Sequence, residues 1–234
     1  MFNMNCCKPD ANNADMTNEE KMQSVHIPEE GPKRTSEEMA QFNYPSIYES
    51  HLSSVLISNA EIKSRVKEIS EAFQESYPLD EPLVLICTLK GANPFFAALL
   101  DELSVLSIPF IFEFLRVKSY IGTESSGDVK VMSAEFPSVK GRHVIVVEDI
   151  VDTGGTLQKI LPMIQSCGPK TVEVCTLLKK RLSQGNGGIS PKYTGFTIPD
   201  AFVVGYGLDY NEMYRDLRDI WILGERGIAF GGWK

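Results

Sequence analysis

One segment constrains this chain more than any other: Val-Ile-Val-Val-Glu-Asp-Ile-Val-Asp-Thr-Gly-Gly-Thr, residues 144–156. Four apolar residues in a row, Val144 to Val147, predict a strand covered on both faces, the pattern of a parallel sheet. The Thr153-Gly154-Gly155-Thr156 that follows suits a tight turn opening a helix. Glycines let the backbone close on a phosphate, the threonine hydroxyls add donors, and the positive end of the helix dipole favours an anion. Three acids, Glu148, Asp149 and Asp152, stand between strand and turn, and acids are the wrong lining for a bare phosphate. A ribose would present hydroxyls to Glu148 and Asp149, and Asp152 reads as a proton acceptor beside a reacting carbon. The segment therefore points to chemistry on a phosphorylated sugar. By itself, Asp-Thr-Gly is also an ordinary strand-to-helix turn, with Asp152 a good helix N-cap.

The rest of the chain supplies a frame for that segment. Residues 1–46 hold few large apolar side chains and are broken by Pro28, Gly31 and Pro32, which predicts a mostly disordered tail; residues 47–234 read as one domain. Cys6 and Cys7 lie in this tail without an N-terminal glycine or a polybasic patch beside them, so free thiols are expected rather than lipidation. Ser58 followed three residues later by Glu61 is a capping box, opening a helix of about five turns striped by Ile62, Val66, Ile69 and Phe73. Strands are predicted at 83–89, 110–117, 129–134, 142–148, 171–178, 201–206 and 220–223. Helices are predicted around 94–103 and after Thr153, the latter bent at Pro162 and stopped at Gly168-Pro169. The alternation implies an α/β fold, a mainly parallel twisted sheet with helices on both faces. Ligands in such sheets bind beyond the C-terminal strand ends. Lys90-Gly91, Ser119-Tyr120, Asp149 to Thr156, Lys180 and Asp209 each follow a predicted strand.

Composition removes other classes. No apolar run of 18 residues exists, the polar N-terminus lacks a secretory profile, and no membrane association is expected. Five cysteines without metal-ligand spacing suit a reducing cytosol, so a cytoplasmic protein is expected. A formal charge of −8 argues against a nucleic-acid surface. Residues 1–46 carry eight acids and four bases, leaving 23 acids against 19 bases in the remainder, so an anion site must build its own positive field. Lys90, Lys180, Arg215 and a helix N-terminus could do so locally.

The segment 144–156 resembles the phosphoribosyl pyrophosphate (PRPP) signature of the type I phosphoribosyltransferases. Leu89-Lys90-Gly91, Arg116 to Tyr120, Ser126 to Val131, Lys180-Arg181 and Phe202 to Glu212, in this order, narrow the resemblance to the hypoxanthine-guanine phosphoribosyltransferases, over about residues 44–227. The resemblance implies the type I fold with a small hood over the site. It implies transfer of a phosphoribosyl group from PRPP to hypoxanthine or guanine with release of pyrophosphate, Mg²⁺ as cofactor, and a homodimer or homotetramer.

It also implies roles, residue by residue. Asp152 is the acid near purine N7. Glu148 and Asp149 bind the ribose hydroxyls directly or through Mg²⁺, and Thr153, Gly154, Gly155 and Thr156 cradle the 5′-phosphate. Lys90, Gly91 and Arg215 serve the pyrophosphate, the Leu89-Lys90 peptide being one that can be cis. Lys180 donates to the 6-oxo group, Phe202 stacks on the purine, the Val203 backbone holds its far edge, and Asp209 is a further Mg²⁺ ligand. Ser119 and Tyr120 begin a lid loop. Gly155 departs from the family pattern, in which many relatives carry Lys, so one positive charge near the phosphate is missing. The bland alternatives stay open: Phe202 as a core residue of a buried strand, and Arg215 as one charge of an alternating surface run. Two rival functions also stand, a catalytically weakened regulatory homologue and a xanthine- or pyrimidine-using phosphoribosyltransferase.

Overall fold

The computed structural model describes residues 23–119, 129–131 and 138–232. Its strands are β1 (Val25–His26), β2 (Leu52–Ile57), β3 (Leu83–Leu89), β4 (Phe110–Ser119), β5 (Val129–Val131), β6 (His143–Val151), β7 (Thr171–Lys180), β8 (Tyr193–Ile198), β9 (Val203–Val204) and β10 (Ile220–Leu223). The helices are α1 (Ser36–Met39), α2 (Asn59–Ser76), α3 (Asn93–Val105), α4 (Gly155–Ser166) and α5 (Glu225–Phe230).

Seven strands form the main sheet in the order β1-β8-β7-β6-β3-β4-β5. All neighbours pair parallel except β4 and β5. Alternate residues of the central strands face opposite layers, as a pleated strand requires. Leu85, Cys87, Ile145 and Val147 meet the apolar stripes of α2 and α3, while Val84, Ile86, Val144 and Val146 meet Leu157, Ile160 and Ile164 of α4. Helix α2 begins at the expected capping box: the Ser58 side chain accepts from the Glu61 N–H and Glu61 reaches back to the Ser58 N–H.

A second, antiparallel sheet, β2-β10-β9, packs Val55, Val204, Trp221 and Leu223 with Tyr48, Tyr214 and Leu217 into its own cluster. The strand reading is corrected in three places. The expected strand at 201–206 shrinks to Val203–Val204 and belongs to the hood rather than the main sheet. The fifth long parallel strand is instead β8, unforeseen because Gly195 interrupts its apolar run. That glycine is required, since a Cβ there would lie 2.5 Å from the Leu177 carbonyl oxygen on β7. Strand β2 was unforeseen as well.

Part of the segment assigned to the tail is packed on the domain. β1 extends the main sheet beside β8, and Ile27 is only 8% exposed. Arg65, 4% exposed on α2, fastens this edge by donating to the carbonyls of Gln23, Thr194 and Gly195.

Candidate active site

The sequence places its chemistry where β6 runs out. That strand continues to Val151, three residues past Glu148, so the acid pair sits inside the strand rather than beyond it. The N-cap of α4 is Gly154, not Asp152. Gly154 has φ 81°, and a Cβ there would lie 2.4 Å from the Asn186 carbonyl oxygen, so both conformation and close approach require glycine. No side chain caps the helix. The N–H groups of its first turn, beside the hydroxyls of Thr153 and Thr156, are thus suited to an anion. At Gly155 a Cβ would meet only the Thr153 hydroxyl oxygen at 3.9 Å, so sterics do not dictate glycine there.

Glu148 and Asp149 are both held above the ordinary carboxylate range. For Glu148 burial is the main cause, reinforced by the charge and hydrogen bond of Asp149 and eased by Thr88. For Asp149 burial again leads, partly offset by hydrogen bonds from Glu148 and from the Ile150 N–H at 2.8 Å, and by the charge of Arg215. Asp149 thus makes it harder for Glu148 to ionise. Glu148 Oε2 is buried without a hydrogen-bond partner. Such a pair is suited to hydroxyl donors or a cation.

The loop after β3 closes directly over this pair. A Cβ on Gly91 would lie 1.5 Å from Asp149 Oδ2, so only glycine fits there. The Leu89–Lys90 peptide is cis. The hood loop after β9 rests on the same turn, since a Cβ on Gly207 (φ 93°) would lie 2.2 Å from the Gly91 carbonyl oxygen. That loop brings Asp209 to 2.8 Å from Arg215, and Glu212 to 2.8 Å from Lys90 and 3.5 Å from Arg215. Arg215 also donates to the Gly207 carbonyl at 2.7 Å and has a buried, unpaired Nε. Arg215 is therefore not a plain surface arginine.

At the end of β7, Lys180 is largely covered and lies 3.2 Å from Asp152 Oδ2 and 3.4 Å from Asp200 Oδ1. Phe202 is 43% exposed and packs edge-on against Tyr210 at 5.1 Å, so it is not a core residue. Val203 is buried in the core, which leaves only its backbone for recognition. Ser119 ends β4, and Tyr120 lies outside the described residues.

The structure thus gathers two groups. Glu148, Asp149, Lys90, Gly91, Asp209 and Arg215 form one, and Asp152, Lys180 and Asp200 the other, with the α4 turn adjoining both through residues 149–154. Sequence reasoning missed Glu212, Asp200 and Asn186. Glu212 and Asp200 sit within two or three residues of chosen positions and were readable only as exposed acids. Asn186, in Gly-Asn-Gly-Gly, carried a turn signal and nothing more.

Cations and an uncapped helix are suited to anionic groups at two points, and the acid pair between them is suited to hydroxyls. Taken with the parallel sheet, this defines a site of the phosphoribosyl-transferring class. A family model described as the phosphoribosyl transferase domain matches residues 57–211. Mouse hypoxanthine-guanine phosphoribosyltransferase is 40% identical over 195 residues, 80% of this chain and 88% of the relative, and the human protein is 39% identical over the same shares. The solved structure of Trypanosoma cruzi hypoxanthine phosphoribosyltransferase with the product IMP aligns at TM-score 0.68 and 38% identity, covering 75% of this chain and 96% of that one. The chain belongs to the hypoxanthine-guanine phosphoribosyltransferase family.

Proposed function

We propose that this protein transfers the 5-phosphoribosyl group of PRPP to N9 of hypoxanthine or guanine, giving IMP or GMP and pyrophosphate in purine salvage. The observation that carries the reading is the pairing of Asp152 with Lys180 at 3.2 Å. An acceptor and a donor held together beside the phosphate turn match a 6-oxopurine, which offers an N7 proton to one and a carbonyl oxygen to the other.

In this reading the α4 turn grips the 5′-phosphate, and Glu148 with Asp149 takes the ribose hydroxyls. Phe202 supplies an exposed ring face for the purine. As N9 bonds to ribose C1, the C1–O bond to pyrophosphate breaks with its electron pair leaving on oxygen. Asp152 accepts or stabilises the purine proton, a contribution typically worth ~10² to 10⁴ in rate. Lys90 and Arg215 exchange their carboxylate partners for pyrophosphate oxygens, and Arg215 has a planar fork suited to them. The transition state gains charge separation between C1 and the leaving group, so preorganised charges rather than covalent catalysis do the work.

The residues present fit Mg²⁺. Glu148 Oε2 has no partner, its pair resists ionisation, and Asp209 faces Arg215 nearby. Among the described residues no group of three or more His, Cys, Asp or Glu is placed to hold a metal alone. That suits an ion held by one or two carboxylates together with substrate oxygens. Held through one or two of Glu148, Asp149 and Asp209 and completed by substrate oxygens, Mg²⁺ would neutralise the pyrophosphate as it departs.

A cytoplasmic homodimer or homotetramer completes the proposal. The exposed ring cluster of Phe112 and Phe114 beside Phe96 supports self-association. Among the described residues no helix is long and apolar enough to cross a membrane. The test is to incubate the purified chain with PRPP, Mg²⁺ and labelled hypoxanthine and to separate the products. Labelled IMP formed in step with pyrophosphate is expected; PRPP consumption without IMP would overturn the assignment.

A further inference from the structure

The loop between β7 and β8 places one side chain where the two central strands part. The last paired residues of β6 and β7 are Val151 and Lys179. One step further, Asp152 and Lys180 lie beyond the β6–β7 pairing, although Lys180 still pairs with Ile198 of β8, and these are the residues whose side chains meet at 3.2 Å. The Asn186 amide takes over there. Its Nδ2 donates to the Asp152 carbonyl at 2.5 Å and to the Lys180 carbonyl at 3.1 Å, with the Val151 carbonyl at 3.5 Å. Three acceptors around one nitrogen fix which end of the amide faces them, because the amide oxygen would meet three carbonyl oxygens.

The same residue also touches the phosphate turn. Its carbonyl oxygen closes against Gly154 and accepts from the Ile189 N–H at 3.0 Å. The next residue, Gly187, is tied to α4 by Gln158 Nε2 at 2.6 Å. Asn186 is thus hydrogen-bonded to the backbone of both groups that would face the purine, and packed against the cradle that would hold the 5′-phosphate.

We propose that Asn186 is a positioning residue that sets the spacing between Asp152 and Lys180, and so the fit of the 6-oxopurine between them. It acts through the backbone and touches no substrate. The proposal rests on the roles given above to Asp152 and Lys180. Small errors of alignment at a reacting centre are expensive: a misplacement of about 1 Å can cost ~10² in rate. Loss of the amide frees two carbonyls and lets the strand ends drift. A carboxylate in its place sets negative oxygen against three carbonyl oxygens, which is worse.

The experiment compares full-length N186A, N186D, N186S and Q158A with the parent, measuring Tm, kcat, KM for PRPP and kcat/KM for hypoxanthine and adenine. N186A should lower kcat/KM for hypoxanthine by ~10-fold or more and shrink the preference over adenine, with KM for PRPP within about threefold. N186D should lose more, and N186S, which keeps one donor, should lie between N186A and the parent. Q158A loosens the same loop without touching the bridge, so it should lower Tm and leave the preference intact. If N186A fails to fold, N186S carries the test. Position 186 variants with lowered Tm but parental kcat and base preference would reduce Asn186 to a purely structural role and overturn the proposal. So would a base preference lost equally in Q158A. A D152N control with parental turnover would instead sink the underlying assignment of Asp152, whatever the Asn186 variants do.

Discussion

Replacing Glu148 by glutamine should make the protein more stable and less able to use PRPP. Glu148 as a whole is partly covered, but its Oε2 is buried without a partner and Asp149 sits against it, so its ionised form is disfavoured in the folded state. At pH 8 the parent either holds a proton on this carboxyl or bears a charge beside Asp149, a cost of about 1–3 kcal/mol that an amide, neutral at every pH, avoids. For a domain of this size each kcal/mol moves Tm by roughly 2–4 °C, so Glu148→Gln should raise Tm by about 2–12 °C at pH 8. The sign depends on pH. Well below the ordinary glutamate value of 4.5 the side chain is neutral in both the folded and unfolded states, and the variant gains little. As pH rises past that value the unfolded chain ionises freely while the folded carboxyl holds its proton, so the parent loses stability until the folded group also titrates. The gap between variant and parent should therefore be wider at pH 8 than at pH 5. Thermal unfolding in metal-free buffer at both pH values measures it. A variant less stable than the parent at pH 8, or a gap that does not change with pH, would refute the reasoning.

Three further substitutions or deletions probe the other parts. Gly91→Ala drives a methyl group into Asp149; displacement of that carboxylate, at about 1–3 kcal/mol of overpacking, should raise KM for PRPP by ~10-fold or more, and a normal KM would show that the loop yields freely. Asp152→Asn should keep PRPP affinity but lose turnover by ~10² or more, as expected for a group acting in the transition state; near-normal kcat in a folded variant would remove Asp152 from catalysis. Deleting residues 1–33 should lower Tm by several degrees, because it strips β1 from β8, removes Ile27 from the core and leaves the buried Arg65 short of the Gln23 carbonyl; an unchanged Tm would mean that this edge contributes little.

The central strand, the phosphate turn and the capping box were legible because each rests on local chemistry: an apolar run, glycines where backbone must approach a ligand, a serine three residues before a glutamate. The position of Lys90 followed from the rule about strand ends, and Lys180 closes β7, whereas Asp149 lies inside β6. What escaped reading depended on distant contacts. β8 hides behind Gly195, whose reason is a carbonyl on β7, and β2 makes sense only as a partner of β10 in the hood. The segment 23–33 is poor in apolar residues, yet a single isoleucine, two strand residues and one arginine on α2 suffice to dock part of it. The alternative of Asp152 as a helix cap is open in the sequence and closed by the fold, in which Gly154 occupies that position. Lys90 and Arg215 could be picked out as cations from the sequence. Their pairing with Glu212 and Asp209 could not, because it depends on the hood loop folding back over the turn at Gly91.

The most direct test of the account is base choice. If Lys180 points its ammonium at position 6 while Asp152 accepts at N7, the carbonyl of hypoxanthine or guanine satisfies it, and the amino group of adenine offers it no acceptor. A buried site built around one such hydrogen bond can reject the mismatched base by roughly 10⁴. Backbone carbonyls near Val203 and Asp209 would accept the 2-amino group of guanine and repel the 2-oxo group of xanthine. The measurement is kcat/KM for hypoxanthine, guanine, xanthine and adenine with saturating Mg²⁺ and PRPP. The account predicts high and similar values for hypoxanthine and guanine, a low value for xanthine and a negligible one for adenine; comparable use of adenine and guanine would contradict it.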